Sequence, residues 1–390
     1  MKVFSRKHTC QAVLPRVVLI VIMLVGILAG TIEKSYSKLR GDCSNCHTMY
    51  NSQDNKPMNF GDSATPNTRL TKGTCYGCHA QGGSSPTVYI GPNIVPQVMH
   101  ESATDLAGGN FGYITGLVGS GAADNKGHNI SDLTGTDSVL YAPPGGIKES
   151  GYDELWVNTD NLRCAGNNGC HGYRHYGGGD AGVYYGKGIT GAHHKNENGQ
   201  LDDATTPANS YRFLMAVKGL ESSDWQESPT IANHNEYYGR STPIQMGCDA
   251  VNCHKGSGGL VQPPNGTISQ FCATCHGNFH TLAEGDSDGI GTIASAPFIR
   301  HPTDLSLPST GEYTAYTIYR LDAPVARLTV PAVASSVVSP GSDVVMCLSC
   351  HVAHASNYPD MLRWDYDTII AGNAGAAAGT GCFACHSTKD

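Results

Sequence analysis

The chain has 390 residues and a formal charge of -8; 39% of its residues are hydrophobic and 15% charged, which excludes both a large aliphatic core and a highly charged disordered chain. No basic patch or Arg-rich stripe lies past the N-terminus, so nucleic acid is not an expected partner. The bias lies instead in 15 cysteines, 17 histidines and 48 glycines, far from average usage.

At the N-terminus, Lys2, Arg6, Lys7 and Arg16 accompany the apolar run Val17 to Ala29, which small and polar residues follow. This is the layout of an export signal, with residues 1–37 removed and cleavage expected between Gly30 and Lys38. A retained anchor needs roughly 20 apolar residues, more than this run contains. Cys10 precedes the run and is discarded with the signal. Export predicts a cell-surface or extracellular location, or alternatively a periplasmic one, and free thiols there normally oxidise to disulfides.

The other fourteen cysteines form seven close pairs, each followed at once by a histidine. In chain order they are Cys43-Ser-Asn-Cys46-His47, Cys75-Tyr-Gly-Cys78-His79, Cys164-x5-Cys170-His171, Cys248-x4-Cys253-His254, Cys272-Ala-Thr-Cys275-His276, Cys347-Leu-Ser-Cys350-His351 and Cys382-Phe-Ala-Cys385-His386. Five of them have the spacing of covalent c-type haem attachment. Two thioethers fix the porphyrin edge to one turn of chain, which places the adjacent histidine as the proximal iron ligand. In the two longer pairs the extra residues must loop outward, and Gly166, Asn167, Asn168 and Gly169 tolerate such turns. A disulfide loop in these two places leaves the following histidines unexplained. Zinc also uses Cys-x-x-Cys pairs, but a histidine directly after every second cysteine is not a zinc-ribbon pattern. Seven covalent haem c groups are therefore expected.

Excluding the proximal residues and His8, nine histidines remain for the seven sixth positions: His100, His128, His175, His193, His194, His234, His280, His301 and His354. This supply predicts two histidines on every iron. It makes methionine ligation by Met49, Met58 or Met99 unnecessary and predicts low potentials. His175, His280 and His354 follow a proximal histidine by four, four and three residues. If the turn between is helical, each lies on the same side of the porphyrin as its proximal neighbour, and so serves a neighbouring haem.

From Lys38 onward there are roughly 50 residues per haem, too few for an independent core, so the haems themselves form the interior. The expected fold is a multihaem cytochrome: mostly irregular loops with short α-helices and a minor β-hairpin, wrapped around a haem chain. Residues 38–160 carry haems 1 and 2 and a loop-rich connection, 161–284 carry haems 3 to 5, and 346–390 carry haems 6 and 7. The haem-poor stretch 285–345 contains the runs Tyr313–Tyr319 and Ala326–Val330, which predict a hairpin. Short helices are expected after the attachment motifs and around Ser210 to Lys218. Asn196-Glu-Asn-Gly199 with Asp202 and Asp203, and Glu284-Gly-Asp-Ser-Asp288, do not complete a calcium loop and read as solvated turns.

These motifs resemble the multihaem cytochromes of dissimilatory metal-reducing bacteria. The resemblance rests also on Asp105-Leu-Ala-Gly-Gly-Asn-Phe111, Phe271-Cys-Ala-Thr-Cys-His-Gly-Asn-Phe-His280, Arg300-His-Pro-Thr-Asp304 and Met346-Cys-Leu-Ser-Cys-His-Val-Ala-His354. It spans nearly the whole mature chain. It implies extracellular electron transfer to metal oxides, electrodes or other redox proteins and cytochromes, and some members of that group polymerise into haem-lined filaments. With attachment motifs near both termini, a head-to-tail homopolymer is the corresponding expectation. The rival class is a periplasmic multihaem reductase, which needs one iron with an open position. No attachment motif here has lysine in place of its histidine, and the surplus of histidines points to closed sites and a carrier, not an enzyme.

Overall fold

The computed structural model describes residues 41–60, 62–67, 70–134, 143–144, 162–165, 169–171, 173–175, 184–187, 214, 216–218, 234–241, 267–273, 275–276, 301–372 and 379–389. All belong to one compact unit, Lys38–Asp390. The export segment, the fourth attachment motif (Cys248, Cys253, His254), the two acidic turns, and His193, His194 and His280 lie outside the described residues.

Regular structure is short everywhere it is described. The longest described helix is Ile268–Ala273, and no described strand exceeds four residues. Isolated helices below about 12–15 residues are marginal in water, so these turns depend on what they pack against. Among the described residues strands pair two at a time, five pairs antiparallel and one parallel. The clearest hairpin joins Thr87–Ile90 to Asn93–Pro96 through Gly91-Pro92. Gly91 has φ +58°, the left-handed value that a two-residue hairpin turn requires at its first central position. None of the described helices is long and apolar enough to cross a membrane.

Two expected elements differ. The run Tyr313–Tyr319 does not form a strand with Ala326–Val330; its start belongs to a 3-10 helix, Gly311–Ala315. Tyr316 and Tyr319, three residues apart, are both buried with Leu307, Val325 and Val338. The Tyr316 hydroxyl donates to the Ala323 carbonyl. The apolar period here is therefore three, not two. The strands of this region are Leu305–Ser306 and Val344–Val345, paired with each other, while Ala326 bridges Val344. In the region around Ser210–Lys218, Val217–Lys218 is a strand against Glu236–Tyr237.

Apolar burial is divided into small clusters and not gathered into one core. One holds Val217, Tyr237, Ile268, Val344, Met346 and Leu348; a second holds Phe111, Tyr113, Ile114, Ile130 and Ala355. Both touch attachment motifs: Met346 and Leu348 flank Cys347, and Cys164 packs on the second cluster. This distribution suits a chain whose interior is completed by prosthetic groups.

Candidate functional site

Each two-residue-spaced motif closes into a single turn. At Cys272, Cys347 and Cys382, the carbonyl accepts from the amide of the second cysteine at 3.1, 3.3 and 3.3 Å, and from the histidine amide at 3.1, 3.1 and 2.9 Å. Cys43 does the same, with Cys46 at 3.1 Å and His47 at 2.8 Å. Cys75–His79 is one turn of α-helix. The turn presents two thiols and an imidazole from five consecutive residues, the arrangement covalent attachment requires.

The third motif reaches a similar arrangement by another route. Arg163–Ala165 and Gly169–His171 pair in parallel, with Arg163 opposite Gly169 and Ala165 opposite His171. Cys164 and Cys170 thus occupy corresponding central positions of adjacent strands despite the longer loop. Among the described residues no disulfide joins Cys164 to Cys170.

Five of the histidines share a feature that sequence reasoning did not find. Nδ1 lies 2.9 Å from the Pro96 carbonyl in His79, 2.7 Å from Ala353 in His128, 2.6 Å from Pro144 in His276, 2.9 Å from Pro302 in His301 and 2.7 Å from Asp360 in His351. A carbonyl oxygen only accepts, so Nδ1 carries the proton and Nε2 keeps its lone pair for a metal. Burial also favours the neutral ring: it holds His79, His128 and His351 below the usual imidazole range and takes His276 down to about 4. A neutral imidazole is the ligating form. His386 differs in directing Nδ1 to a carboxylate, Glu312 Oε1 at 2.9 Å.

Three proximal histidines face a second histidine from elsewhere in the chain. Ring centres are 6.0 Å apart for His276 and His128, 6.1 Å for His171 and His354, and 6.2 Å for His386 and His301. A metal–imidazole bond of about 2.0 Å on each side, with about 1.1 Å from ring nitrogen to ring centre, sets the centres about 6.2 Å apart. The residues present therefore fit an iron held between two histidines at each place. His354 reaches His171 from an extended strap and not a helical turn: His351 bridges Leu362, and Ala355 bridges Gly109 and Gly127. Phe111 stacks on His354 at 4.8 Å, and a Cβ on Gly108 would come within 2.7 Å of His354 Nδ1.

His100 is fully buried, and its Nε2 has no hydrogen-bond partner. Asn110 fixes it: Asn110 Oδ1 accepts from the His100 amide at 3.1 Å, and Nδ2 donates to the His100 carbonyl at 2.9 Å. His234 is different. Its ring stacks on Tyr319 at 3.8 Å and its Nε2 lies 3.2 Å from Glu236 Oε1, inside a buried cluster in which Arg327 pairs with Glu236 and Asp343. Nε2 of His234 is thereby engaged by a carboxylate, which suits a packing role better than a ligating one. Of His175 only the strand position Tyr173–His175 is described. Met49 and Met58 are exposed, while Met99 packs on the cluster of Phe111.

Attachment turns sit beside one another. The Cys46 side chain adjoins Cys78, Cys75 adjoins Cys164, and Cys272 adjoins Cys347. Cys272 also lies near Cys170, and Cys350 near Cys382 and Cys385. The described motifs thus follow one another in the order one, two, three, five, six, seven.

Closed Cys-x-x-Cys-His turns in series, three of them faced by a second histidine, are the arrangement a multihaem c-type cytochrome requires. Comparison with known proteins agrees with that class. Residues 340–390 match the doubled CXXCH motif. The chain is similar to the C-type cytochrome OmcS of Geobacter sulfurreducens, 22% identical over 379 residues, covering 87% of this chain and 83% of the relative. Among solved structures it is similar to the outer membrane cytochrome S filament of Geobacter sulfurreducens (TM-score 0.42, 18% identity, 90% of this chain and 95% of that one). It is likewise similar to the OmcS nanowires of the same organism (TM-score 0.44, 20% identity, 90% and 91%).

Proposed function

We propose that this chain is an extracellular electron carrier with seven covalently attached haems, every iron held by two histidines. The observation that carries the reading is the set of three histidine pairs whose ring centres lie 6.0, 6.1 and 6.2 Å apart. Haem supplies reversible one-electron exchange at iron. The polypeptide supplies the rest. Paired cysteines would hold each group in place and the proximal histidine would ligate its iron, with His128, His301 and His354 as the second ligands where they face one. Pro96, Ala353, Pro144, Pro302 and Asp360 lock the imidazoles in the tautomer with Nε2 free to ligate. An iron closed on both faces offers no position for a substrate, which favours a carrier over a reductase.

Attachment at Cys248, Cys253 and His254 completes the seven on sequence grounds. The export signal and the likeness to a cytochrome described as a filament support a secreted or surface location and a head-to-tail homopolymer. Other redox proteins or cytochromes, metal oxides and electrodes are the partners proposed.

Intact-mass measurement and haem-peptide mapping of the purified protein test the count, and carbon monoxide difference spectroscopy of the reduced protein tests closure. Seven haem increments with no carbon monoxide band are expected. A stoichiometric carbon monoxide complex overturns the carrier reading in favour of the reductase.

A further inference from the structure

The hydrogen bond made by His386 sets it apart from every other proximal or facing histidine whose Nδ1 contact is described above. Five of those donate to neutral peptide carbonyls. His386 donates to the Glu312 carboxylate, 2.9 Å away and only 13% exposed. An ionised acceptor binds the Nδ1 proton about twice as strongly as a neutral one and gives the ring partial imidazolate character, which makes Nε2 a better donor. Stronger donation favours ferric over ferrous iron. The same carboxylate has a counter-charge: Lys389 Nζ stands 3.2 Å from Oε1 and is 60% exposed.

We propose that Glu312 is a positioning residue that lowers the reduction potential of the iron held by His386 and His301, and that Lys389 limits the effect. The inference rests on the haem attachment proposed at Cys382 and Cys385. The carboxylate biases electrons away from the seventh motif toward the sites that use carbonyl acceptors. A purely structural reading also exists, because Glu312 anchors the C-terminal segment: its carbonyl accepts from Ser387 Oγ, and Thr388 Oγ1 lies 3.5 Å from Oε2. The two readings differ in what charge does.

The test compares Glu312→Gln, which keeps an acceptor oxygen without charge, with Lys389→Met, which unmasks the carboxylate. Haem-peptide mapping first establishes attachment at Cys382 and Cys385, and its absence there overturns the proposed function itself. With attachment present, spectroelectrochemical titration of full-length protein should show one of the one-electron steps move up in Glu312→Gln and down in Lys389→Met. The low-spin electron paramagnetic resonance signal of one haem should shift in opposite senses in the two. An unmoved titration in both variants, or a shift in the same direction in both, overturns the inference while leaving the carrier reading intact.

Discussion

His128 and His354 are tied together by their backbones: the His128 amide donates to the His354 carbonyl at 2.9 Å, while the His128 ring donates to the preceding carbonyl, Ala353, at 2.7 Å. One of these histidines faces His276 and the other faces His171. Two joined segments, one carrying His128 and the other the strap of His354, therefore present the imidazoles that face the fifth and the third motifs. His128→Ala should leave the site of His276 open on one face and cost about 1 kcal/mol of stability through the lost hydrogen bond. The expected signature is a new carbon monoxide-binding haem, one per chain.

Gly108 lies against the same strap. A methyl group there would meet His354 Nδ1 at 2.7 Å and Cε1 at 2.8 Å, closer than real Cβ contacts come. Gly108→Ala should displace the ring from its position opposite His171 and destabilise by about 1–3 kcal/mol, the range for overpacking a well-filled site. Thermal unfolding and the low-spin signal of that haem check it. An unchanged signal would mean that the ring does not ligate.

The long-spaced third motif gives a separate test. Cys164→Ala with Cys170→Ala should yield protein lighter by one haem, with the remaining attachments kept, as read by intact mass. Disturbance of Phe111 and Ile130, which share the cluster on which Cys164 packs, should lower the melting temperature as well.

Asp105 supplies a pH dependence that involves no iron ligand. Burial pushes its carboxyl up to about 7 from 3.8, against the opposing hydrogen bond from the Tyr113 hydroxyl at 3.1 Å. The folded state thus binds a proton that the unfolded state gives up between those values, so this group's stabilising effect is present below pH 4 and is lost as pH rises through 7. Asp105→Asn should remove that slope and raise stability at pH 8 by about 1–2 kcal/mol, measured by denaturant unfolding at a series of pH values.

The closed Cys-x-x-Cys-His turns were legible in the sequence because cysteine, cysteine and histidine recur at short fixed spacing. The loop-rich fold followed from the same residues together with the glycines. The pairing of histidines was not legible, because His171 meets His354 and His276 meets His128 across long stretches of chain whose path depends on the cofactors. Nor were the acceptors at Pro96, Pro144, Ala353 and Asp360, since a backbone carbonyl has no side-chain signature. Glu312 could have been suspected only once His386 was placed beside it. The Tyr313–Tyr319 run misled because β-branched and aromatic residues suggest a strand, while burial of Tyr316 and Tyr319 on one side follows a turn of three.

Closure of every iron by two histidines is tested most directly by electron paramagnetic resonance of the oxidised, fully loaded protein, with spins counted against iron content. Seven low-spin ferric centres per chain and no stoichiometric high-spin signal are expected. A high-spin ferric signal amounting to one haem per chain in the unmodified protein would contradict it.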